Sequence, residues 1–236
     1  GENGAGKSTF MKLLLRLYDV DSGTIYINGR PIKEYDVRRM RSRIGVAFQS
    51  TNIYAMSFAD NISLYHPVTA EKMRKIAKQM GLDEILKKNC ADYDAELTRE
   101  FFEDGILLSG GEAQKIGVSR VMSGDFSLLL LDEPSSALDP LAEYKLSEAI
   151  LGAANQTTTI LISHRLSTVR DADRIIVMDH GQICESGTHN ALMEAKGKYY
   201  DYTYKKSKIN PDTLRLKKDT KKNVSLYVYN LSLIHI

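Results

Sequence analysis

The chain has 236 residues, 43% hydrophobic and 26% charged, with a formal net charge of +2. That supports one globular domain with a sizeable core, or a domain and a tail, and gives no charge argument for nucleic acid. No run of about 18 apolar residues would span a membrane, no charged-then-apolar start reads as a secretion signal, and Cys90 and Cys184 stand too far apart for a C-x-x-C zinc or redox motif.

Residues 1–8 read GENGAGKS, the spacing G-x-x-x-x-G-K-[ST] of a phosphate-binding loop. Gly1, Gly4 and Gly6 allow backbone N–H groups to turn inward on an anion, with Glu2, Asn3 and Ala5 between them. Lys7 adds a mobile cation for the β- and γ-phosphates, and Ser8 a hydroxyl for Mg²⁺; Thr9 follows. The expected ligand is a nucleoside triphosphate. Phe10, Leu13, Leu14 and Leu17 recur at i, i+3, i+4 and i+7, so a helix with one apolar face begins there and points its positive end at the phosphates. Such a loop needs a strand before it, so we expect the chain to continue upstream of Gly1.

Residues 24–27 alternate and meet Asn28-Gly29, a hairpin signal. Residues 44–48 form a short apolar strand ending at Gln49. Helix formers dominate 70–88, and about 55–125 reads as a mostly helical insertion. Within it, LSGGE at 108–112 is a second glycine-rich anion nest. Ser109, Gly110, Gly111 and Glu112 open a helix at Ala113, an arrangement that suits a γ-phosphate and equally a plain N-cap. One triphosphate does not need two such loops, so the second points to the nucleotide of a partner copy. Gly117 lies inside the helix that follows and should weaken it by about 1 kcal/mol relative to Ala.

Residues 128–131 are a continuous apolar run of the kind buried in a parallel sheet. They end on Asp132-Glu133, and ligands of such sheets gather at the carboxyl ends of strands. Asp132 is the candidate Mg²⁺ ligand and Glu133 the candidate acceptor of a proton from an attacking water. Leu146, Ala149, Ile150 and Ala153 give a helix face. Residues 158–163 and 174–178 supply two more strands, and His180-Gly181 a turn before Ile183. Strands alternating with helices predict an α/β sandwich with right-handed crossovers. Residues 205–222 hold eight Lys/Arg against two Asp, a local charge of +6 that leaves −4 for the rest. The tail 205–236 lacks apolar periodicity over this basic stretch and is expected to be disordered. We assign no role to its apolar end.

Taken together, GENGAGKST, Gln49, LSGGE, LLLLDEP, SSALD at 135–139 and His164 in LISHRLSTV resemble, in order and approximate spacing, the ATP-binding cassette family over residues 1 to about 204. The run STVRDADRIIVMDHGQICESGTH is most similar to cassettes of exporter-type transporters. The resemblance implies a P-loop NTPase three-layer sandwich with a mainly parallel sheet and a helical subdomain at about 55–125. It implies ATP and Mg²⁺ as ligands, and a head-to-tail pair of cassettes, identical or not, closing on two ATP molecules. Lys7, Ser8, Gln49, Asp132, Glu133 and His164 would come from one copy and Ser109 to Glu112 from the other. In the family Gln49 contacts Mg²⁺ or the water and senses the transmembrane partner, His164 contacts the γ-phosphate, and Asp139 lies at the dimer seam. A transmembrane domain fused upstream and a place on the cytoplasmic face of the cell membrane follow from the same resemblance; nucleic acid is not expected. Glu112 departs from the glutamine most common at its position, and the adenine-stacking aromatic is expected upstream of Gly1. The competing readings are a non-transport cassette ATPase of the DNA-repair or translation type, which usually carries long coiled-coil insertions or tandem cassettes, and a nucleotide switch without turnover, against which Glu133 argues.

Overall fold

The computed structural model describes residues 6–64, 66–154, 157–163, 169–209 and 225–231. They fall into two compact units, one of Gly1–Ile44 and Thr158–Ile236, the other of Gly45–Thr157.

In the first unit, helix α1 (Lys7–Leu14) begins after Gly6, which sits at φ 82°, a left-handed conformation open to glycine. Met11 is its buried residue and the C-cap Leu15 is buried just past it, whereas Leu17, expected on the apolar face, lies beyond the helix end and is exposed. The Arg41 guanidinium, from helix α2 (Val37–Arg41), donates to Leu15 O at 2.9 Å and Arg16 O at 2.8 Å, satisfying carbonyls that the end of α1 leaves orphaned. The Asn28-Gly29 signal is realised. Strands β1 (Tyr26–Ile27) and β2 (Arg30–Pro31) pair antiparallel, and both turn residues have positive φ, as a primed two-residue turn requires.

Strand β5 (Thr158–Ile162) is buried along most of its length. Strands β6 (Arg174–Asp179) and β7 (Gln182–Gly187) form a hairpin, closed at His180-Gly181 with both φ positive. Strand β8 (Ser225–Leu231) lies between β5 and β6 and runs parallel to both. Both β8 and helix α9 (Lys198–Ile209) include residues of the 205–236 tail expected to be disordered; residues 210–224 and 232–236 lie outside the described residues. Helix α8 (His189–Ala195) packs with α9 and β7.

In the second unit, β3 (Ile44–Ala47) neighbours β4 (Leu128–Asp132), whose Leu129, Leu130 and Leu131 are buried on both sides. A side chain at Gly45 would collide with Phe126 and Val121, which close over β3. Five helices complete the unit: α3 (Phe58–Ser63), α4 (Ala70–Met80), α5 (Asp83–Lys88), α6 (Gly110–Met122) and α7 (Pro140–Ala154). Helices α3 and α4 pack on α6, and α4 also on α7, around Phe58, Ile62, Ile76, Ala77, Ile116, Val118 and Val121. Ser57 and Thr69 cap α3 and α4 with their hydroxyls, and Gly81 ends α4 in a left-handed turn. Among the described residues no helix is long and apolar enough to cross a membrane.

Candidate functional site

Strand β4 carries Asp132 at its buried carboxyl end, 8% exposed. The next residue, Glu133, has φ 47°. A left-handed glutamate costs on the order of 1–3 kcal/mol and persists only where its surroundings hold it. The turn turns the half-buried carboxylate toward Gln49, whose amide nitrogen donates to Glu133 Oε2 at 3.4 Å. A carboxylate only accepts, so this contact fixes which end of the Gln49 amide is nitrogen and turns its oxygen away from Glu133. Gln49 follows β3 directly, so two adjacent strand ends present the pair.

The 108–112 loop opens α6 as a capping box. Ser109 Oγ accepts from Glu112 N at 3.3 Å, and Ser109 N donates to Glu112 Oε2 at 2.7 Å. Glu112, unusual at its position by family resemblance, thus closes the box. Burial works to raise its pKa, but the Ser109 hydrogen bonds and the charges of Lys88 and Lys115 prevail and hold it below the usual carboxylate value. Lys88 Nζ stands 3.7 Å from Glu112 Oε1. Gly111 has to be glycine for a packing reason: a Cβ there would sit 2.8 Å from Ala137 O. The segment 135–139 therefore lies directly against the glycines of the capping loop. Its last member, Asp139, caps α7 through Leu141 N and Ala142 N at 3.0 Å each, and these bonds lower its pKa.

Two buried side chains of α6 that sequence reasoning passed over, Gln114 and Arg120, tie these parts together. Gln114, 3% exposed, donates to Glu133 O at 3.0 Å and Ser136 Oγ at 2.9 Å, and accepts from Ala137 N at 3.0 Å. Arg120, 4% exposed, donates to Asn61 O, to Asn61 Oδ1 at 2.9 Å and to Asn52 O at 2.7 Å, and lies over the Tyr54 ring at 5.3 Å. Asn61 itself holds the 54–57 turn through Tyr54 N, Tyr54 O, Met56 O and Ser57 O. Gly117, expected only to weaken the helix, admits Thr51: a Cβ would overlap Thr51 Oγ1. The one sequence signal for any of these was the helix-breaking glycine.

Lys7, Ser8 and Thr9 occupy the first turn of α1 in the first unit; Gln49, Ser109 to Glu112, Asp132 and Glu133 belong to the second. Gly1, Glu2, Asn3, Gly4, Ala5 and His164 lie outside the described residues. Asp132, Gln49 and Ser8 offer hard oxygen donors of the kind Mg²⁺ takes, and one or two carboxylates with phosphate oxygens and water suffice for it. Among the described residues no group of three or more His, Cys, Asp or Glu side chains is placed to hold a metal ion.

Residues 1–136 match the family model described as ABC transporter. The chain belongs to the ABC transporter family. The cassette is 38% identical over 200 residues to a putative multidrug export ATP-binding/permease protein of Bacillus subtilis, covering 84% of this chain and 34% of that protein. It is 36% identical over 201 residues to an ATP-dependent lipid A-core flippase of Alkalilimnicola ehrlichii, covering 84% of this chain and 33% of the relative. Among solved structures, a bacterial Atm1-family ABC exporter with ATP bound superposes with a TM-score of 0.79 at 30% identity, over 87% of this chain and 36% of that one. The α/β fold of a P-loop NTPase expected from the motifs agrees with these matches. The chain spans about a third of the length of these relatives.

Proposed function

We propose that this cassette binds and hydrolyses ATP to power export through a transmembrane partner. The carrying observation is the Glu133 carboxylate, turned by a left-handed backbone at the end of a buried strand and held by Gln49. The phosphate loop and Lys7 bind the triphosphate, with the positive end of α1 behind it. Ser8, Asp132 and the Gln49 amide oxygen would hold Mg²⁺, which would supply charge neutralisation on the triphosphate when bound. Glu133 orients the attacking water and takes its proton, and Gln49 keeps that carboxylate aimed. His164 contacts the γ-phosphate.

A second cassette, identical or not, faces this one head to tail, and its Ser109 to Glu112 loop closes on the nucleotide held here. The capping box supports this reading, because it fixes Ser109 and the two glycines at the positive end of a 13-residue helix. The exporter relatives support a transmembrane domain fused upstream and a cassette on the cytoplasmic face.

The test is Glu133→Gln in the full-length protein. It keeps shape and loses the base, so ATP turnover should fall by about 10²–10⁴ while ATP binding survives. Turnover equal to the parent protein would overturn the assignment.

A further inference from the structure

Glu133 sits in a backbone conformation that a glutamate does not choose, so something must hold it. The residues around it show what. The chain after Glu133 folds back in two tight turns, Ser136 N onto Glu133 O at 3.1 Å and Leu138 N onto Ser135 O at 3.2 Å. One buried amide spans this fold-back. Gln114 Nε2 reaches Glu133 O and Ser136 Oγ, and Gln114 Oε1 takes Ala137 N. Both ends of a single side chain therefore fix both sides of the loop that starts at the proposed base.

Three features make this arrangement more than packing. Gln114 Nε2 donates twice and Oε1 accepts once, so each loop partner meets a matching group on the buried amide. Its reach is set by length: an asparagine is one methylene shorter, and a glutamate would put negative charge against Glu133 O. Finally, Gln114 stands one helical turn after Gly110, the first residue of α6, and a Cβ on Gly111 in that first turn would collide with Ala137 O. The loop that would close on a partner's nucleotide and the loop that carries the base thus lie against the first turns of one helix.

We propose that Gln114 is a positioning residue: its amide locks the left-handed backbone of Glu133 and so aims the carboxylate at Gln49 and the attacking water. It touches neither ATP nor water. It acts through Glu133, and it makes the seating of α6 a condition for a correctly aimed base. The inference rests on the reading of Glu133 as the base.

Its consequence is a specific kinetic pattern. Gln114→Met keeps the volume and removes every hydrogen bond. Misplacing a reacting group by about 1 Å costs up to about 10²-fold, so kcat for ATP should fall by about 10- to 100-fold. KM for ATP should stay within about threefold, because ground-state binding is untouched. The deciding measurement is the cycle with Glu133→Gln in the full-length protein, read by single-turnover hydrolysis. Where the base is already gone, Gln114→Met should lower the residual rate no further. Gln114→Glu, which retains an acceptor for Ala137 N, serves as the second variant and should behave alike; thermal melts identify which variants are folded. A folded Gln114 variant with parental kcat would overturn the inference, as would an equal loss in the Glu133→Gln background. The reading of the base fails separately, by Glu133→Gln alone turning over at the parental rate.

Discussion

Gly117 shows how a residue's meaning changes once its neighbour is known. Judged as a helix residue, replacing it by Ala should stabilise by about 1 kcal/mol. In the fold the position faces Thr51, and the added Cβ would overlap its hydroxyl. Overpacking of this kind typically costs about 1–3 kcal/mol, so the sign reverses. Gly117→Ala should lower the denaturation midpoint of the intact protein, and adding Thr51→Ala should recover part of the loss. A rise in the midpoint for the single variant would contradict this packing. The residues that sequence reasoning could read were those whose chemistry is stated by a local motif: Lys7 and Ser8 by G-x-x-x-x-G-K-[ST], Ser109 by its glycines, Asp132 and Glu133 by the apolar run before them. Gln114, Asn61 and Arg120 could not be read this way. Their partners, at 133–137, 120 and 52–61, are brought to them only by the tertiary fold.

At the scale of elements, what was legible followed period and length. The buried strand at 128–131 and the hairpin at Asn28-Gly29 announce themselves because a run of leucines and a turn dipeptide are local signals. Strand β8 does not. A parallel strand takes its partners from distant sequence, and 225–231 follows a basic stretch that reads as solvated. The docking of α8 and α9 was equally hidden, since it includes a contact between buried Tyr199 and half-buried His189 that no local pattern announces. Tyr199 is fully buried, which pushes its phenol up to about 12, and it lies 2.8 Å from His189 Nδ1. The phenol therefore stays protonated and donates to neutral imidazole. Burial, aided by Arg170 and opposed by Asp171, lowers the pKa of His189. A base whose folded pKa is depressed takes up more protons in the unfolded chain. Its contribution is complete above the unfolded value near 6.5 and is lost as pH falls through the window below it. Thermal melts between about pH 7.5 and about pH 5.5 should show this decline, and His189→Asn should flatten it. An undiminished decline in that variant would assign it to other groups.

At the scale of the whole molecule, the proposed function assigns two phosphate-binding loops to one cassette, 1–8 and the capped 108–112, and has each triphosphate take one of each from different copies. This is the central claim, and mixing two disabled proteins tests it most directly. Ser109→Arg blocks the loop offered to a partner; Lys7→Ala weakens the copy's own nucleotide site. In a mixed dimer of full-length proteins, shared sites would place both defects at one site and neither at the other. ATP turnover should then reappear on mixing, although each variant alone is inactive. Proven mixed dimers with no recovered turnover would contradict the account.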